Sequence, residues 1–323
     1  MRNTLLQITA LIAVSLTING LTAQTKHAPK VEHLKALPST VDLNVYDNFH
    51  KLDTVRTIAY EHIWCEWDKY TPGKLLPQLK EITAKGRIPL VTIEPYPIGL
   101  IGSAETLLPD IAAGKYDSVT SALAKEIKSL GSPVFVRWGP EMEYAIKPWS
   151  VKAPADYIAA YRHFVAKFKK VSPTSSMVWS PVGEAPLPVS VLHGSETNSG
   201  EMTKSCEQYY PGGDVVDYAG FSLYEVPAVS IGWFGREQSF ADWMNQKYPR
   251  FVAFNKPIII TELGVWDTPA KQEAWMQAAF AAVPNYPLLK VLVYFNTQDL
   301  VSWKKWGGVG APNWFINPSI FTN

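Results

Sequence analysis

Cysteine is scarce in this chain: Cys65 and Cys206 are the only two in 323 residues. Two thiols make at most one bridge, so a disulfide-dense scaffold is excluded, and two separate buried thiols are the simpler reading. Nor can two cysteines by themselves complete a tetrahedral zinc site. The six histidines show no paired ligand spacing, so neither a metal nor another cofactor is implied. Charge of one sign is also missing. The formal net charge is +1 with no basic run, which gives nucleic acid and anionic membrane surfaces no electrostatic footing as partners. No internal repeat or low-complexity linker divides the chain.

The one long apolar stretch lies at the amino terminus. Arg2, the mostly apolar residues 5–16, and Leu21-Thr22-Ala23 before Gln24 have the layout of an export signal. The stretch is short for spanning and is interrupted by Gln7 and Asn19, so cleavage is expected rather than an integral membrane span. The expected organisation is a signal peptide at 1–23, a loose leader at 24–38 and one folded domain at 39–323, placed outside the cell or in the periplasm.

What is abundant is apolar and aromatic material. The chain is 47% hydrophobic, with 12 Trp and 15 Tyr, enough for a sizeable core. Most of these rings will be core. Flat rings also make platforms for sugar faces, so the excess favours a carbohydrate ligand. Short β-branched runs alternate with amphipathic segments. Strands are expected at 41–46, 57–65, 88–94, 133–141, 176–180, 215–224, 257–262 and 289–295. Helices are expected at 75–84, within 104–130, and at 153–171, 239–254 and 269–282. Eight strands interleaved with helices predict an α/β fold with a parallel sheet, closed most economically as a single (β/α)8 barrel. An open doubly wound sheet would want a Gly-rich turn after the first strand, and Val45-Tyr46-Asp47-Asn48-Phe49 has none.

Two of these strands end in a carboxylate. Val134-Phe135-Val136-Arg137-Trp138-Gly139-Pro140-Glu141-Met142 is one, and Lys256-Pro257-Ile258-Ile259-Ile260-Thr261-Glu262-Leu263-Gly264 is the other. In such a barrel both Glu would reach the mouth at the carboxyl ends of the strands. Strict alternation would put Arg137, Gly139 and Glu141 on one face, and Ile258, Ile260 and Glu262 on one face. Paired carboxylates are the minimal equipment for breaking a glycosidic bond. The competing reading is two surface charges at strand ends.

These segments resemble the retaining glycoside hydrolases of clan A, and within them family 26, the β-mannanase family. Arg137 to Met142 is similar to the segment carrying the family's acid/base Glu. Lys256-Pro257 through Gly264 is similar to the segment carrying its nucleophile. Met177-Val178-Trp179-Ser180-Pro181 resembles the family's Trp-Ser-Pro strand. Tyr209-Tyr210-Pro211-Gly212, Val216 to Gly220 and Tyr224 resemble the approach to its sixth strand, and Val293-Tyr294-Phe295-Asn296 its eighth. The resemblance implies Glu141 as acid/base, Glu262 as nucleophile and Tyr224 as a hydrogen-bond partner of Glu262. Two departures stand out. The residue before the acid/base is His in family 26 and Asn in most of the clan, but here it is Pro140. The usual Asn-Gly after Met is replaced by Glu143-Tyr144.

Other residues are candidates for the sugar. Arg137, four residues before Glu141, can fork onto a carboxylate or serve as a structural ion pair. Trp138 is counted with the substrate contacts. Trp179 at the end of the fifth strand is a sugar platform or a core ring. Glu94 can bind a sugar hydroxyl or serve as the acid in place of Glu141. Glu143 is another rival acid. Phe295, Asn296, Trp303 and Trp306 follow the eighth strand and would suit a subsite floor. His62 and Trp64 can line the mouth, with a satisfied core histidine the simpler reading for His62. The expected partner is a β-linked polysaccharide or oligosaccharide of the mannan or glucan type. The expected function is an exported endo-β-glycosidase working by double displacement. A non-catalytic carbohydrate-binding barrel and a transglycosylase are the alternatives.

Overall fold

The computed structural model describes residues 41–99, 103–144, 147–184, 204–300, 302–304 and 310–321. The expected signal and leader, and Trp306, lie outside the described residues. No helix among the described residues is long and apolar enough to cross a membrane.

Eight strands form: β1 (Asp42–Tyr46), β2 (Ile58–Glu66), β3 (Ile88–Glu94), β4 (Phe135–Trp138), β5 (Ser176–Trp179), β6 (Tyr218–Glu225), β7 (Ile258–Val265) and β8 (Leu289–Phe295). Each pairs in parallel with the next, and β1 pairs with β8, so the barrel closes in sequence order. Closure leaves no free strand edge. The helices are α1 (Leu75–Ala84), α2 (Leu107–Ala112), α3 (Asp117–Ser129), α4 (Pro154–Val171), α5 (Pro227–Phe234), α6 (Phe240–Val252) and α7 (Pro269–Ala282). The expected (β/α)8 barrel is the fold observed.

Local chemistry accounts for the element limits. On α4, Pro154 starts the helix and Tyr157, Ala160, Tyr161, Phe164 and Phe168 form one fully buried stripe. Ser239 caps α6 in a reciprocal box with Asp242. The helical segment expected over 104–130 divides in two, because Gly114 takes φ +84° between α2 and α3. Helix α5 was not read from the sequence: its residues are apolar apart from Ser230 and carry no helical period.

Two apolar layers result. Inside the barrel the rings of Tyr60, Phe135 and Tyr218 meet, with centroids 5.3 and 5.0 Å apart. Outside it, alternate strand residues pack on the helices. Strand β7 departs from the expected alternation. Phe221 pairs with Ile260 and Ser222 with Glu262, so Thr261 is an extra residue in the strand. Such a bulge reverses the facing of all that follows. Ile258 and Ile260 therefore lie in the outer layer with Met276 and Ala279 of α7, while Glu262 turns inward. The expectation that these three share one face was wrong by that one residue.

Candidate active site

A cavity of about 870 Å³ opens among the carboxyl ends of the strands, and Glu141 and Glu262 both line it. Strand β4 stops at Trp138, short of the expected limit. Glu141 follows on a tight turn in which Gly139 and Glu141 take φ of +51° and +57°. A non-glycine residue in the left-handed region is held there by its surroundings. Here the Glu141 backbone N–H donates to Ser180 O at the end of β5 (2.9 Å), and the Ser222 hydroxyl donates to Glu141 Oε1 (2.6 Å).

Glu262 accepts at both oxygens. Arg137 Nη1 donates to Oε1 and the Tyr224 hydroxyl to Oε2, each at 2.5 Å. Arg137 is fully buried, and its Nη2 lies 4.0 Å from Glu141 Oε1, so one guanidinium stands between the two carboxylates. Tyr224 is admitted by a glycine. A Cβ on Gly264 would come within 2.7 Å of the Tyr224 ring and 2.8 Å of Trp314. The carboxylates do not share one environment. Burial, and then the charge of Glu262, push the Glu141 carboxyl up to about 7, against the opposing pull of Arg137 and the Ser222 hydroxyl. Burial and the Glu262 charge likewise hold the Tyr224 phenol well above its ordinary value, so it stays a donor.

The other candidates divide. Glu94 lines the cavity but is held by Lys147 at 2.7 Å, with burial raising its carboxyl. Phe295 stacks on Tyr46 (5.1 Å, 18°), and both line the cavity. Trp303 also lines it and donates from Nε1 to Asp299 (2.8 Å). Trp64 lines the wall, with the Arg137 guanidinium 5.6 Å from its ring centroid. His62 is a buried core histidine against Thr92 (2.7 Å), and burial holds its pKa well below the usual value.

Two candidates are corrected. Trp138 and Trp179 do not face the cavity. Trp138 packs on Tyr157, Tyr161 and Phe164 of α4, and Trp179 on Tyr210, Phe251 and Phe254, because both lie on the outer face of their strands. Glu143 is not in the cavity wall either. It is buried, accepts from the Gly183 N–H (2.8 Å), and burial pushes it up to about 7. Cys65 and Cys206 are separate buried thiols. Sequence reasoning missed Ser222, Lys147 and Trp233 of the wall. Only Trp233, in the exposed apolar run of α5, left a legible signal.

With this geometry in hand, comparisons with known proteins are informative. A β-mannanase of glycoside hydrolase family 26 from Bacteroides ovatus superimposes over 85% of each chain, with a TM-score of 0.58 at 17% identity. The chain shares the barrel fold of that β-mannanase. Endoglucanase H of Acetivibrio thermocellus is 25% identical over 235 residues, covering 71% of this chain and 24% of that protein. The β-1,3-xylanase TXYA of a Vibrio species is 26% identical over 213 residues, covering 60% of this chain and 42% of that protein. The chain thus spans a quarter to two-fifths of the curated relatives it matches. No protein-family model matches it.

Proposed function

We propose that this family 26-like barrel is an exported retaining endo-β-glycosidase, with Glu262 as nucleophile and Glu141 as acid/base. The observation that carries the reading is the shared guanidinium. Arg137 lies between two carboxylates that differ in every other partner, with Tyr224 on Glu262 and Ser222 on Glu141. Arg137 and Tyr224 aim one Glu262 oxygen pair at the cavity. Glu141, near 7, keeps its proton at mildly acidic pH.

In the first step a Glu262 oxygen bonds to the anomeric carbon while the glycosidic C–O bond breaks and the Glu141 proton passes to the leaving oxygen. In the second, the esterified Glu262 carries no charge, so the pKa of Glu141 falls. Glu141 then takes a proton from water, the water oxygen bonds to the anomeric carbon, and Glu262 leaves. A retaining mechanism requires the carboxyl groups about 5–5.5 Å apart.

The substrate we propose is an uncharged β-linked polysaccharide of the mannan or glucan type. Aromatic walls suit sugar faces: Tyr46, Trp64 and Phe295 on one part of the cavity, Trp233 and Trp303 on another. Pro140 offers no side-chain donor, so recognition beside the reacting bond differs from that of family 26.

The test is reducing-end release from mannan, xylan, mixed-linkage glucan and β-1,3-glucan, with product lengths. Glu141→Gln should lower turnover of the active substrate by about 10²–10⁴-fold, and Glu262→Gln by at least as much. Azide should rescue Glu262→Ala and give the inverted glycosyl azide. Ordinary turnover in either Gln variant would refute the assignment. Binding without release across the panel would favour a carbohydrate-binding barrel, the reading to which Pro140 lends weight.

A further inference from the structure

Lys247 is a buried cation that the proposed reaction does not use. It lies on α6, in the helical layer, yet its ammonium reaches the strand ends. Nζ donates to Ser222 O at 2.6 Å and to Val182 O at 3.0 Å, and stands 3.6 Å from Glu184 Oε1. The stem passes the rings of Trp243 and Phe221, which lie 5.5 and 5.9 Å from Nζ. Burying a lysine is costly unless its charge is answered. Burial lowers the Lys247 pKa from its ordinary value, and three carboxylates oppose that: Glu184, Glu143 and Glu141.

We infer that Lys247 is a positioning residue for Glu141: by clamping the Ser222 and Val182 carbonyls it fixes the Ser222 hydroxyl against the Glu141 carboxyl, and it supplies a buried positive charge behind that contact. The chain of contact is short. Ser222 offers its carbonyl to Lys247 and its hydroxyl to Glu141 at the same 2.6 Å. Val182 precedes Gly183, whose N–H donates to Glu143, so the same ammonium ties β6 to the segment after β5 whose backbone binds the Glu143 carboxylate. Around Glu141 stand Glu262, Glu143, Tyr224 and Tyr144 on the acidic side, and Arg137, Lys147 and Lys247 on the basic side. Removing Lys247 takes away one of these cations and frees Ser222 together, and both losses favour the protonated carboxyl.

The meaning of this for turnover rests on Glu141 being the acid/base, but the placement itself does not. The experiment is therefore a carboxyl ¹³C NMR titration of Glu141, assigned by its loss in Glu141→Gln. Wild type, Lys247→Met and Lys247→Arg are compared, with kcat/KM profiles on any substrate the panel reveals. In Lys247→Met the Glu141 midpoint should rise by roughly half a unit to one unit. The basic limb of kcat/KM should move with it, and KM should change little. Lys247→Arg should return the midpoint toward wild type. A reciprocal measurement covers the case in which Lys247→Met does not fold. Proton linkage requires that Glu141→Gln lower the Lys247 midpoint, read from its ¹⁵Nζ signal. An unmoved Glu141 midpoint in folded Lys247→Met, or an unmoved Lys247 midpoint in Glu141→Gln, overturns the inference. Moved midpoints without turnover on any polysaccharide would uphold it and reject the glycosidase reading.

Discussion

Arg87 and Arg137 are both buried and both grip a glutamate, Glu61 at 2.6 Å and Glu262 at 2.5 Å, yet they are finished differently. Arg87 also donates to the carbonyls of Leu52, Asp53 and Val55, and Lys85 and Asp53 complete the cluster. This cluster takes no part in the cavity wall. Arg137 makes one hydrogen bond to Glu262, while its Nε and Nη2 find no hydrogen-bond partner among the described residues. A closed ion cluster stabilises the fold. In the second pair Glu262 faces the cavity while Arg137 lies buried behind it, and its unfilled donors leave capacity for charge that develops on the carboxylates.

The largest expected effect tests the closed side. Arg87→Met should lower stability by about 3 kcal/mol by taking from buried Glu61 its closer cationic partner and leaving only Lys85 at 3.3 Å, read as a lowered urea midpoint, with kcat of the surviving folded protein unchanged. A lost kcat at full stability would erase the contrast. Trp179→Ala should behave likewise, costing about 3–5 kcal/mol with KM unaltered, whereas Trp233→Ala should raise KM for polymer and leave the urea midpoint in place.

Arg137→Met tests the open side. It should cost one charged hydrogen bond, about 1.5–3 kcal/mol, or roughly ten- to a hundredfold in kcat/KM, with a smaller stability loss than Arg87→Met because Glu262 faces the cavity. The pH dependence sharpens the same point. Glu141 must be protonated to act as the acid, and its pKa is raised to about 7, so kcat/KM should be full below pH 7 and fall as pH rises through it. A profile still level at pH 8 would remove Glu141 from the acid role.

The smallest effect concerns Glu143. Its folded pKa, about 7, lies above the ordinary glutamate value of 4.5. Its contribution to stability is therefore present below about pH 4.5 and lost as pH rises through 7. Glu143→Gln should match wild type at pH 4 and exceed it at pH 8, measured by urea unfolding at both values.

Much of this was legible in the chain. Runs of β-branched residues spaced by amphipathic segments led directly to the eight strands, and carboxylates near two strand ends led to the cavity. What failed was alternation. The bulge at Thr261 adds one residue that no hydropathy pattern marks, so the facing of Ile258 and Ile260 was inverted while Glu262 still reached the mouth. The same period-two logic, applied to β4, would have sent Trp138 outward, since it neighbours the inward Arg137. Its aromatic character favoured a sugar contact instead. Ser222 and Lys247 were illegible for another reason: a lone serine in a strand and a lone lysine in a helix acquire meaning only when the fold brings them to Glu141.

The backbone at Glu141 has a consequence for how this barrel tolerates change. With φ at +57°, the position is one that glycine occupies at no steric penalty and that β-branched residues resist. Glu141→Gly should thus yield a chain at least as robust as its parent but without the proposed proton donor. If Glu141 acts as proposed, this is the site at which drift would first uncouple durability from chemistry, and the same replacement offers a quiet scaffold on which capture of an intact glycan can be sought.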